Sequence, residues 1–242
     1  MMRFSDWMTL LRLGRQRLTS GDAYVRFQTF QGEMILSEIE ATGVRLEGRR
    51  ALDLGCGYGG YSLALRKRTD RVLAADRHFP PGSCTTHATI WWVEADAVSL
   101  PFGDGEFDFI MCASLIEHVA EPLRLLSEIR RVMSPRGICY LSFPPFYSPV
   151  GGHNFKPYHL LGEKLAIRLS GLQCASYATA FGKWGLYPLT IRKVRRLVGT
   201  AGLMIRNLST RFLPLNTAAL PIVGEFLTWQ AQFLLARDST NS

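Results

Sequence analysis

The sequence predicts an α/β fold: a doubly wound, mostly parallel sheet of about seven strands, with an N-terminal helical arm and an insertion after the fifth strand. Three observations predict it. Short apolar runs alternate with helix-spaced segments between residues 51 and 143, the pattern of strands laid parallel under covering helices. The first apolar run ends in Gly55, Gly57, Gly59 and Gly60, as a strand does when it turns tightly into a helix. A chain of 242 residues with 47% hydrophobic side chains is long enough to bury one such core.

The elements follow in order. Residues 1–20 read as an amphipathic arm, with Trp7, Leu10, Leu11 and Leu18 near helical spacing and arginines between them. Residues 22–42 read as a second helix, with Asp22 as its cap and Phe27, Phe30, Met34 and Ile39 on a buried face. Residues 1–45 are thus expected to form an arm and cap, and 46–242 the main domain. Within that domain Ala51–Leu54, Arg71–Ala75, Ile90–Glu94, Phe107–Cys112 and Ile138–Phe143 read as strands. Tyr61–Arg68 and Leu123–Met133 read as helices, the latter opened by Pro122 and closed by a surface turn at Pro135-Arg136-Gly137. Residues 144–190 break the rhythm and are expected to be a substrate-side insertion, with a helix over Tyr158–Ser170. A helix over Thr190–Ala201 and a strand over Leu203–Phe212 follow, and Phe226–Ala236 fits either strand or helix.

Composition narrows the function classes. No apolar run is long enough for a membrane-crossing helix, and the first residues lack the apolar core and cleavage site of a secretory signal. Cys56, Cys84, Cys112, Cys139 and Cys174 are widely spaced with no C-x-x-C pair, which suggests neither a disulfide framework nor a metal site. A reduced, cytoplasmic setting is expected, with peripheral membrane contact left open. The formal net charge of +8 favours anionic partners. Its carriers cluster at Arg12, Arg15 and Arg17; at Arg66, Lys67, Arg68 and Arg71; and at Arg192, Lys193, Arg195 and Arg196, where solvated helix faces are the simpler reading.

The chemistry is concentrated in Asp53-Leu54-Gly55-Cys56-Gly57-Tyr58-Gly59-Gly60. Alternating glycines let the backbone approach a ligand with no Cβ in the way, which alone would suit any nucleotide. Asp53 before them is ill suited to an anionic pyrophosphate and well suited to a cationic ligand. Asp76, at the end of the second strand, can accept hydrogen bonds from a ribose diol.

With these residues in place, ALDLGCGYGG resembles the first motif of class I S-adenosylmethionine-dependent methyltransferases. The resemblance continues through VLAADRH, EADAVSLPFGDGEFDFIMCASLIEHV and PLRLLSEIRRVMSPRGICYLSFPP, and is similar to the ubiquinone- and menaquinone-biosynthesis-like (methyltransferase type 11) group. It spans about residues 50–145, under half of the chain, and specifies fold and cofactor far more than substrate. It implies a Rossmann-like domain binding S-adenosyl-L-methionine. Asp53, Gly55, Cys56, Gly57 and Gly59 would surround the methionine portion, Asp76 with Arg77 beside it the ribose, and Asp96 and Ala97 the adenine. Cys112, Ala113 and Ser114 would face the sulfonium. Ser134-Pro135-Arg136-Gly137 departs from the usual Lys-Pro-Gly-Gly.

Methyl transfer needs alignment and water exclusion, with a base where the acceptor is a hydroxyl or an acidic carbon. The candidates are His118, with Glu117 behind it, and His153 and His159 in the insertion. His153 is preferred because Gly151 and Gly152 before it would permit close approach to a substrate. The expected acceptor is a small molecule or a lipid-linked intermediate, hinted at by the aromatic insertion and by Phe226, Leu227, Trp229, Phe233, Leu234 and Leu235 in the tail, although core packing is the simpler role for these. An RNA methyltransferase fits the charge, but the chain shows no RNA-binding module, so nucleic acid is disfavoured. An inactive cofactor-binding partner subunit is the non-enzyme alternative. The absence of a G-x-S-x-G elbow argues against an α/β-hydrolase.

Overall fold

The computed structural model describes residues 4–81, 83, 88–181, 184–212 and 215–238; Cys84 lies outside them. Helices α1 (Phe4–Gln16) and α2 (Gly21–Glu40) precede an alternation of β1 (Arg50–Leu54), α3 (Gly60–Arg66), β2 (Arg71–Asp76), β3 (Trp91–Glu94), β4 (Phe107–Ala113), α4 (Pro122–Val132) and β5 (Met133–Phe143). Beyond the insertion, which holds α5 (Glu163–Ser170), come α6 (Ile191–Thr200), β6 (Leu203–Thr210), α7 (Gly224–Leu227) and β7 (Ala231–Arg237). The strands form one sheet in the order β3-β2-β1-β4-β5-β7-β6. β1 runs parallel to β2 and β4, and β2 parallel to β3, whereas β7 runs antiparallel to both β5 and β6. The expected mostly parallel, doubly wound sheet is therefore present. The ambiguous tail divides into a single helical turn and a strand. Ala231 through Ala236 are all buried, as in a strand covered on both faces.

The chain falls into two compact units, residues 1–111 with 131–137, and 112–130 with 138–238 among those described. In the first unit α2 packs on α3. A Cβ on Gly32 would stand 2.6 Å from the Ala64 methyl carbon, so the glycine sets how near the two helices come. Ser20, not Asp22, caps α2: its hydroxyl accepts from the Ala23 amide at 3.1 Å, because Asp22 already lies inside the first turn. The buried stripe of α2 is Ala23, Gly32, Ile35, Leu36 and Ile39; Phe27, Phe30 and Met34 are only partly covered. α1 buries no residue. Residues 134–137, expected as a surface turn, belong to β5. Met133 is fully buried and the Ser134 side chain hydrogen-bonds the Asp108 carboxylate, which draws the chain into the sheet before Gly137.

In the second unit the expected helix over Tyr158–Ser170 is broken. Gly162 adopts φ +88°, separating a 3₁₀ turn at Tyr158–Leu161 from α5. The insertion has a small core of its own, Phe146, Phe155, Ala166, Tyr177 and Leu186. α6 is capped by Thr190, whose hydroxyl accepts from the Lys193 amide. It buries Ile191, Val194 and Val198 and turns Arg192, Lys193, Arg195 and Arg196 to solvent.

Candidate functional site

The first unit gathers the acidic and glycine residues at the carboxyl ends of β1, β2 and β3, where open α/β sheets bind ligands. Gly55, Gly57 and Gly59 adopt φ values of +77°, +52° and +87°, a region that other residues rarely enter. The Gly55 and Cys56 amides donate to the Ala75 carbonyl at 2.8 and 3.2 Å, pinning the turn to the end of β2. A Cβ on Gly57 would meet nothing within 4 Å, so its backbone faces open space. A Cβ on Gly59 would sit 2.4 Å from the Trp92 ring.

Asp53 is fully buried, and its carboxylate accepts from the Ser62 hydroxyl of α3 at 2.5 Å. Burial pushes its pKa up to about 7, with Ser62's hydrogen bond opposing the rise and Asp76's charge adding to it. The acid therefore ties β1 to α3 beneath the turn, a more indirect placement than direct contact with a ligand's amino group. Asp76 is half-buried. One oxygen accepts from the Gly57 amide at 2.8 Å and the other from the His78 amide at 3.2 Å, which holds the carboxylate at the mouth of the turn with lone pairs to spare. Arg77 forms an ion pair with Asp96, whose other oxygen accepts from the Val98 amide. Ala97 lies between them in that turn, partly covered. Two neighbours carried no sequence signal. The Gln28 side-chain oxygen from α2, near Gly60, and the Trp92 indole nitrogen are both buried without a hydrogen-bond partner.

In the second unit Cys112 and Ala113 are buried at the end of β4. Ser114 adopts φ +56°, its amide donates to the Ser142 carbonyl at 2.8 Å, and its hydroxyl accepts from Gln230 at 2.9 Å. Three residues on, Glu117, His118 and His153 come together. Glu117 is 2% exposed, and neither carboxylate oxygen has a hydrogen-bond partner. Burial pushes its pKa up to about 8, opposed by the polarity of its own backbone amide, which makes no hydrogen bond of acceptable geometry, and by the Arg211 charge. His118 Nδ1 lies 2.7 Å from the Gly185 carbonyl. Its ring packs edge-on against His153 at 4.8 Å and Trp184 at 4.5 Å. His153 Nε2 is buried without a partner, 3.9 Å from Glu117 Oε1. Burial first, and then the nearby His118, Lys156 and His159, push its pKa down to about 3, so the ring is neutral at physiological pH.

His159 does not join this group. It is buried elsewhere in the insertion, with Nε2 3.3 Å from the Ser148 carbonyl and its ring against Phe146. The paired glycines before His153 also have a different use from the expected one. A Cβ on Gly151 would lie 2.0 Å from the Pro145 carbonyl oxygen, and one on Gly152 would lie 2.3 Å from the His159 ring. They admit the chain's own atoms rather than a ligand. The convergence of Glu117 with His153 carried no sequence signal, because it depends on the path of the insertion.

Comparison with known proteins agrees with this geometry. Residues 52–141 match the methyltransferase domain family Methyltransf_11. An uncharacterised methyltransferase of Mycobacterium sp. (strain JLS) is 34% identical over 125 residues, covering 50% of this chain and 49% of that protein. One from Mycolicibacterium vanbaalenii is 32% identical over 133 residues, covering 53% and 52%. The chain thus spans about half the length of the curated relatives it matches. Among solved structures, an S-adenosylmethionine-dependent methyltransferase from Mesorhizobium loti superposes with a TM-score of 0.59 at 16% identity, covering 90% of this chain and 100% of that one. Magnesium protoporphyrin IX methyltransferase from Synechocystis gives 0.57 at 15%, covering 89% and 86%. No helix among the described residues is long and apolar enough to cross a membrane. Residues 52–141 are thus similar to a methyltransferase domain, and the chain has the fold of S-adenosylmethionine-dependent methyltransferases.

Proposed function

We propose that the chain transfers a methyl group from S-adenosyl-L-methionine to a small-molecule or lipid-linked acceptor. The observation that carries this reading is the Asp76 carboxylate held by the Gly57 amide at the rim of an open glycine turn, with Asp53 buried beneath it. The donor set fits a cationic nucleoside. Gly57 leaves room at the backbone, Asp76 can accept from two ribose hydroxyls, and the Asp96 turn offers backbone and carboxylate groups to a base. A protein of similar fold, the Synechocystis enzyme, was solved with bound S-adenosylhomocysteine. The cofactor when bound would supply an activated methyl group on sulfur. The chain's residues would bind it, orient it and exclude water. His118 and His153, the base candidates offered by the sequence, lie in the second unit and would serve an acceptor there only where their ring nitrogens are not otherwise bound.

The lipid-linked option draws support from the exposed apolar side chains of residues 215–229, among them Ile222, Phe226, Leu227 and Trp229. Burial explains Phe233, Leu234 and Leu235 instead, which lie in β7. A two-part experiment tests the reading. S-adenosylhomocysteine binding by calorimetry should fall at least tenfold in Asp76→Ala. Transfer of labelled methyl groups should appear in the lipid or small-metabolite fraction of a cell extract. Label in RNA alone would replace the acceptor class, and failure of the wild-type chain to bind the cofactor would overturn the reading whole.

A further inference from the structure

We propose that Glu117, His118 and His153 form a binding site for a divalent transition-metal ion. One ligand atom from each lies within 4.8 Å of the others. A metal bound at about 2.1 Å to each ligand keeps any two of them within about 4.2 Å. The 3.9 Å between His153 Nε2 and Glu117 Oε1 already meets that limit, and the widest pair needs under about 1 Å of side-chain movement.

Three features separate this cluster from a fortuitous packing of polar side chains. The first is the lack of partners: both Glu117 oxygens and His153 Nε2 are buried with no hydrogen bond. Leaving a buried polar atom unpaired is costly, and three of them here lie close enough to share one ion. The second is the orientation of His118. Its Nδ1 rests on the Gly185 carbonyl, so that nitrogen carries the proton and the Nε2 lone pair remains for a metal, the arrangement by which outer hydrogen bonds aim ligating histidines. The third is the backbone of His153. It holds φ +47°, a costly conformation for a residue with a Cβ, fixed by the tight packing of Gly151 and Gly152 just before it.

Two imidazoles and one carboxylate favour ions such as Zn²⁺, Fe²⁺ or Co²⁺ over Mg²⁺ or Ca²⁺, and leave coordination positions open for an oxygen of a bound molecule. An ion there would act as a Lewis acid on that oxygen. The Arg211 charge, felt at Glu117, weakens the attraction without supplying Glu117 with a hydrogen bond. Phe181 and Trp184 pack edge-on against the His118 ring and hold its orientation.

The test needs neither cofactor nor acceptor, so its result is independent of the methyl-transfer reading. The full chain, freed of purification histidines and stripped with a chelator, is titrated with Co²⁺ alone. The visible absorption of the ion reports its coordination, and calorimetry reports stoichiometry. One ion per chain is expected, with at least a tenfold loss of affinity in both Glu117→Gln and His153→Ala and no change in His159→Ala. Saturating Zn²⁺ should raise Tm in the wild type and not in those two variants. If either variant fails to fold without metal, His153→Asn takes its place. Absence of saturable binding at one ion per chain, or binding that survives the changes at Glu117 and His153, overturns the proposal.

Discussion

Asp53 keeps its proton in the folded chain up to about pH 7, because burial outweighs the Ser62 hydrogen bond. The unfolded chain gives that proton up near pH 4. Between those values the folded state binds more protons, so this group's contribution to stability falls as pH rises across the window. Thermal melts from pH 4 to pH 7 should show that decline in the wild type and a flatter profile in Asp53→Asn. A cationic ligand above the same acid favours its ionised form. Cofactor binding near pH 6 should therefore release protons, read by calorimetry in buffers of different ionisation enthalpy, and Asp53→Asn should abolish that release. Gly59 supplies a second test at this scale. A methyl group there meets the Trp92 ring at a φ of +87°, so Gly59→Ala should lower S-adenosylhomocysteine affinity by at least tenfold and cost about 1–3 kcal/mol of stability. Asp53, Asp76 and the glycines could be picked out in the sequence because their neighbours in the turn are also neighbours in the chain. The indirect placement of Asp53 could not, since it depends on Ser62 reaching back from α3.

At the scale of elements, the glycine of α2 is the sharpest handle. Gly32→Leu drives a side chain into Ala64 and Tyr61 and should destabilise the chain by about 1–3 kcal/mol, seen as a lower Tm with the cofactor turn's own residues untouched. Strands β1 to β4, β6 and helix α4 were readable from apolar runs and the turn residues that bound them. What escaped the period were breaks made by single backbone conformations and strands completed by distant partners. Gly162 interrupts an otherwise helical run. β5 begins five residues before the expected Ile138, with Ser134 reaching the Asp108 carboxylate. β7 declares itself only by its burial against β5 and β6. The basic residues just after α3 likewise find partners on another helix: Lys67 pairs with Glu33 and Arg68 with Glu40, both of α2. They tie the C-terminal end of α3 to α2.

For the whole molecule, the sequence determines fold and cofactor class within residues 52–141 and becomes quiet outside them. The insertion and the tail, on which the proposed acceptor chemistry would depend, lie largely beyond that match. The apolar side chains exposed in residues 215–229, on a chain of net charge +8, make a prediction about partitioning. The chain should bind vesicles containing anionic lipid in a salt-sensitive way. The double change Phe226→Ser with Trp229→Ser should weaken that binding about tenfold or more, the loss expected from two side chains that no longer enter the interface. Co-sedimentation with vesicles of defined composition measures it, and equal binding by the variant would remove the membrane from the account.

The placement of two of the chain's five tryptophans gives the molecule a pair of built-in optical gauges. Trp92 lies against Gly59 in the glycine turn, and Trp184 stands 4.5 Å from the His118 ring. Indole emission from Trp92→Phe and Trp184→Phe variants, compared with the parent, would report filling of the turn separately from quenching by a paramagnetic ion. Each event could then be followed in real time on unlabelled protein.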